Sequence, residues 1–198
     1  MRGKAGFLQI IGIVLIIASA GLLCFQEYMV KQAQEANLEV AEQIVELLPE
    51  KRIGTPADYS EPEMPVLQID GVDYVCLLEV PAFGITLPIQ NQWGNSPLNR
   101  QPSRFWGSIY GGTCILGGSN YEGQFDFCTQ VDVGDTILVT DMQGTQFSFR
   151  VSRIDRVNTT DFDQLYDETH PLVLFARDRY DDRYIVVRCA WLYAESFY

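Results

Sequence analysis

The pattern of apolar and polar positions divides the chain into three regimes. From Ala5 to Phe25 apolar residues run on without a charge, and Gln9 is the one strongly polar side chain among them. At about 1.5 Å per helical residue this stretch spans roughly 31 Å, close to the hydrocarbon thickness of a bilayer. From Glu27 to Leu48 the pattern becomes amphipathic. Leu38, Ala41, Val45 and Leu48 recur at 3-4-3 spacing, with Glu35, Glu39, Glu42 and Glu46 on the other faces, and Pro49 ends the run. Gly54 to Pro65, broken by Pro56, Pro62 and Pro65, reads as a linker.

From Asp73 the period shortens to that of strands. Runs at 74–80 and 84–89 flank a Pro81-Ala82 turn, and further runs follow at 113–116, 136–140, 145–157, 172–175 and 183–191. Gln143-Gly144 sits between two of them where a tight hairpin would turn. Short strands with little helix predict an all-β domain, a closed barrel or a sandwich. The chain is thus expected to hold a transmembrane anchor at 1–26, a juxtamembrane helix at 27–49, a linker at 50–72 and a β domain at 73–198.

Charge orients this plan. Arg2 and Lys4 precede the apolar stretch and Glu27 follows it, so the positive-inside bias puts the N-terminus in the cytoplasm and the domain outside. A cleaved signal peptide is the rival, because Ala18-Ser19-Ala20 has a small-x-small form. Leu22, Leu23 and Phe25 carry the apolar run past that point, which favours a retained anchor. The amphipathic helix is expected to be a spacer packed on itself or on the domain, or else a surface for weak self-association through residues 27–48.

The chain has 14 basic and 26 acidic residues, so the part beyond Lys4 carries about −14. Nucleic acid and anionic lipid headgroups are therefore disfavoured as partners. Cys24 falls in the apolar stretch, leaving Cys76, Cys114, Cys128 and Cys189 in the domain with no close CxxC spacing. No metal or other cofactor is expected on that basis. Trp93, Trp106 and Trp191 read as core or groove walls, and Asn158-Thr159-Thr160 matches an N-x-T acceptor.

Five segments, in order, resemble the sortase family, the cell-surface cysteine transpeptidases of Gram-positive bacteria. VCLLEVPAFGITLPI (75–89) is similar to their opening strand pair, and ILGGSNYEGQF (115–125) to the strand that ends in Gly-His-Asn. VDVGDTILVTDMQGTQFSFRV (131–151) resembles the Gly-Asp strand and its hairpin. LVLFA (172–176) lies over the Thr-Leu-x-Thr-Cys strand, and RYIVV (183–187) over the arginine-led final strand. The resemblance covers about 73–192 and implies a closed eight-stranded β-barrel.

It also implies a chemistry. A cysteine thiolate attacks a threonyl carbonyl in a sorting signal, a histidine shuttles the proton, and an arginine donates hydrogen bonds to substrate or oxyanion. In this alignment Ser119 stands at the histidine position and Ala176 at the cysteine position; Arg183 keeps the arginine. Alanine has no nucleophile and serine cannot replace imidazole near pH 7, so the covalent step is expected to be lost. What remains is a membrane-anchored surface protein that binds an extended peptide or cell-surface protein beside Arg183.

Other cysteine and histidine positions lie too far along the strands to substitute. Cys189 lies six residues from Arg183 and His170 six residues from Ala176, about 20 Å of strand in each case. Cys114 has the opposite side-chain parity to Ser119, and Glu122 is the only nearby base for a serine. Cys128 is the position from which a displaced nucleophile could come if the protein is an active transpeptidase.

Overall fold

The computed structural model describes residues 2–55, 63–94, 101–178 and 181–192. A helix, α1, runs Arg2–Leu47, and the chain divides into two compact units at Ala36/Asn37. In the first unit, Ile13, Val14, Leu15, Ile16, Ile17, Leu22 and Leu23 are all exposed. With a window of mean hydropathy 1.9, this helix is long and apolar enough to cross a membrane.

The second unit holds ten strands among the described residues: β1 (Arg52–Ile53), β2 (Leu67–Ile69), β3 (Val72–Val80), β4 (Ile85–Gln90), β5 (Ser103–Ser108), β6 (Thr113–Gly118), β7 (Thr136–Asp141), β8 (Thr145–Asn158), β9 (Leu172–Arg177) and β10 (Arg183–Trp191). Following the pairings from β3 through β4, β5, β6, β9, β10, β8 and β7 returns to β3. This is a closed eight-stranded barrel, with β1 and β2 added outside the circuit. The β4–β5 and β6–β9 pairs are parallel and the others in the circuit antiparallel. Closure removes the free edges that would template aggregation.

Alternation along β6, β9 and β10 explains their apolar composition. Cys114 and Leu116, Leu172, Leu174 and Ala176, and Ile185, Val187 and Cys189 belong to the central cluster. Their neighbours Ile115, Val173, Phe175 and Val186 join Val157 and Leu165 in a second cluster on the outer side. These strands are covered on both faces and so read as unbroken apolar runs.

Two parts of the expected plan come out differently. The residues of α1 buried against the barrel are Asn37, Ala41 and Ile44, with Val40 and Leu48 packed alongside, whereas Leu38 and Val45 are more than half exposed. Ala41 and Ile44 meet Ile69, Tyr74 and Leu77, so this end of the helix is part of the barrel domain's packing. The buried stripe is therefore offset from the 3-4-3 seam of Leu38, Ala41, Val45 and Leu48, because the domain selects the face and Ile44 fits it. The stretch 50–72 is also more than a linker. It contains β1, parallel to β8, and β2, which pairs with β3 through an Asp70-Gly71 turn. Both turn residues have positive φ, 49° and 79°, as a tight hairpin requires.

Candidate functional site

The strand ends that carry Ala176 and Arg183 meet the loop after β6 at one end of the barrel. Parallel pairing sets Gly118 opposite Ala176, and antiparallel pairing sets Ala176 opposite Ile185. Register thus brings the ends of β6 and β9 and the start of β10 side by side. A cleft of about 760 Å³ opens there, lined by Asn120, Glu122, Asp126, Asp178, Asp181 and Arg183, with Arg156 and Ile185 also on its wall.

Arg183 projects into this cleft, about two-fifths exposed, and its Nε donates to Asp181 Oδ2 at 2.6 Å. That hydrogen bond is the largest influence holding the Asp181 carboxyl below its usual pKa. Arg156 and Asp178 form a looser pair at 3.7 Å. Asp126 is pushed upward by burial, and its Oδ1 is a buried oxygen without a hydrogen-bond partner among the described residues. Four carboxylates against two guanidiniums leave the lining acidic.

Ser119 and Ala176 flank the cleft without lining it. Ser119 is partly exposed, and its carbonyl accepts a hydrogen bond from the Phe125 amide at 3.0 Å. Ala176 is fully buried, in line with Leu172 and Leu174 inside the barrel. Beside it the Phe125 ring lies against Gly118, where an added Cβ would come within 2.6 Å of the ring. The outward-facing neighbours of Ala176 are Phe175, in the outer cluster, and Arg177, whose Nη2 donates to Asp182 Oδ1 at 2.8 Å. Neither 117–122 (GGSNYE) nor 173–178 (VLFARD) contains a cysteine or histidine, so a shift of one residue in the alignment would supply neither.

The other thiols lie elsewhere. Cys76, Cys114, Cys128 and Cys189 are buried and unpaired by disulfides. Burial pushes the Cys114 thiol up to about 12, and it raises Cys76, Cys128 and Cys189 as well. None is a thiolate near neutral pH. His170, the single histidine of the sequence, precedes β9 at the opposite end from Ala176. Its Nδ1 lies 2.8 Å from Asp167 Oδ2.

The sequence model of the sortase domain matches residues 78–189, more than half of the chain. The chain belongs to the sortase family. Among solved structures, it is similar to sortase A from Corynebacterium diphtheriae at 17% identity and a TM-score of 0.53, covering 85% of this chain and 86% of that one. A Clostridium perfringens sortase D5 transpeptidase matches at 15% identity and a TM-score of 0.52, over 66% of this chain and 83% of that one. Sortase C1 from Streptococcus agalactiae matches at 17% identity and a TM-score of 0.52, over 65% and 72%. At these identities the likeness speaks for the fold. No curated protein matches the chain.

Within this sortase barrel, the sequence pointed to Arg183, whose partner Asp181 sits in the turn just before it. The remaining cleft residues carried no sequence signal that joined them. Arg156 lies near the end of the long β8 and Asp126 in a 3-10 turn, and only the barrel register brings both to Arg183.

Proposed function

We propose that this sortase-family protein is anchored by its N-terminal helix, faces outward from the cell, and binds rather than transfers peptide. Its partner is an extended segment of a surface protein held in the cleft beside Arg183, and its role is that of an assembly accessory. The carrying observation is chemical: the strand ends around the cleft bear no thiol and no imidazole, while the described cysteines of the barrel are buried with raised pKa values. Thiolate attack and proton shuttling both need groups that this cleft lacks. The guanidinium of Arg183 is kept where it can donate to peptide carbonyls, and the acidic surroundings favour a segment bearing an amino or guanidinium group. Arg2 and Lys4 before the apolar helix and Glu27 after it support the outward orientation.

The experiment is a paired measurement on the full-length protein in detergent. Incubated with sorting-signal peptides, it should show no acyl adduct by intact-mass spectrometry and no cleavage. Basic peptides should bind, and Arg183→Ala should weaken them by about tenfold, as expected for a lost charge-assisted contact. An acyl adduct on Cys128 or any other cysteine would sink this reading and establish an active transpeptidase with a displaced nucleophile.

A further inference from the structure

A second cleft, of about 550 Å³, lies between the end of β4 and the outer side of β5 and shares no lining residue with the Arg183 cleft. Trp93, Phe105 and Trp106 form its apolar wall, and Glu63, Asn91 and Gln92 supply polar side chains around them. Trp93 is 39% exposed and Trp106 48%, so each indole leaves much apolar surface in water. Both are nevertheless held in place. Trp93 rests on Gly117, where an added Cβ would come within 2.6 Å of the ring, and it is wedged by Phe105 and Phe175 at centroid distances of 5.7 and 5.3 Å. Trp106 stands edge-on to Tyr166 at 5.2 Å.

Two backbone carbonyls beside this cleft are already engaged. Arg104 Nη1 donates to the Gly107 carbonyl at 3.2 Å, while its Nε and Nη2 donate to the Asn91 carbonyl and Oδ1 at 3.2 and 2.7 Å. An incoming peptide strand would need acceptors such as the Gly107 carbonyl, so strand addition is disfavoured and recognition falls to side chains.

We propose that this cleft binds a neutral oligosaccharide of equatorially linked pyranose units. A fixed indole face fits the flat C–H face of a pyranose ring. Amide and carboxylate groups at the rim suit its hydroxyls, which both donate and accept hydrogen bonds. Glu63 lies 3.7 Å from the Arg104 guanidinium, which also lines the cleft, so the local charges offset each other and suit a neutral chain, while the formal net charge of −12 disfavours uronate or phosphate-bearing ones.

The test titrates full-length protein, in a zwitterionic detergent without a sugar headgroup, with hexamers of N-acetylglucosamine and of glucose. Tryptophan fluorescence and calorimetry should report saturable binding of at least one hexamer, while oligogalacturonate should give none. Trp106→Ala should weaken binding about tenfold or more, and Trp106→Phe should recover much of the loss. Because Trp106 is half exposed, both variants should melt with the parent protein, which separates lost binding from lost fold. The proposal is overturned by an absence of saturable binding with both hexamers, by binding that is unchanged in Trp106→Ala, or by a proline-rich peptide occupying the cleft where the sugars do not.

Discussion

At the residue scale, side-chain direction at the end of β9 decides what a restored thiol could do. Ala176 points among Leu172, Leu174 and Phe125 in the barrel interior, whereas Arg177 is exposed. In a Cys24→Ser background, Ala176→Cys should therefore react with maleimide about as slowly as the native buried cysteines, and Arg177→Cys quickly. Mass-shift kinetics decide this, and rapid labelling at 176 would contradict the interior placement. Asp167 offers a separate check. Burial alone would raise its pKa, but hydrogen bonds from the Thr169 hydroxyl and amide and from His170 hold it down to about 2. It also accepts from Arg188 Nη1 at 3.0 Å. A carboxylate with a depressed folded pKa contributes stability above its unfolded value of about 4, and that contribution disappears as pH falls towards the folded one. Urea midpoints of the parent protein should thus drop between about pH 4 and about pH 2. Asp167→Asn should flatten that limb and cost about 2 kcal/mol near neutral pH, since Arg188 keeps Asp155 and the Gln164 carbonyl.

At the scale of elements, the seven runs read as strands from 74 onward all appear, with ends moved by only one or two residues. Strong apolar runs between turn residues fix their own identity. Three others escaped for physical reasons, of which β1 is only two residues long. β5 (SRFWGS) lacks clean alternation because its pairing with β6 slips between Arg104 and Trp106, and Gly107 adopts φ 71°. β2 was legible in principle from Asp70-Gly71, but it is only three residues long and stands next to a proline-rich stretch. The face of α1 was misjudged because an amphipathic period does not say which apolar residue its partner selects. That error is measurable. Ile44→Ala should cost about 2–4 kcal/mol, as for other buried aliphatic truncations. Leu38→Ala and Val45→Ala should stay within about 0.5 kcal/mol. Chemical denaturation of the three variants gives the comparison, and a larger loss at Leu38 or Val45 would restore the expected seam.

At the scale of the molecule, the site is less legible than the fold because the barrel assembles it from distant stretches. Arg183 could be named from its place at the start of the final strand, yet Asp126 and Arg156 reach the same cleft only through the β6–β9–β10–β8 order. The chain also divides between the apolar helix and the barrel domain. The first unit ends at Ala36, and the α1 residues buried in the second are Asn37, Ala41 and Ile44. A chain beginning at Asn37 should therefore leave the membrane fraction and unfold cooperatively near the temperature of the full-length protein. A chain beginning at Pro49 loses Ala41 and Ile44, uncovering Ile69, Tyr74 and Leu77 on the outer side of β2 and β3. Re-exposing that apolar contact removes about 3 kcal/mol or more, which for a domain of this size lowers the melting temperature by about 6–12 °C. Circular dichroism melts of the two fragments, with sedimentation of the full chain alongside, decide between this account and a freestanding barrel to which the helix adds nothing. Equal melting temperatures would mean that residues 37–48 serve only as a spacer.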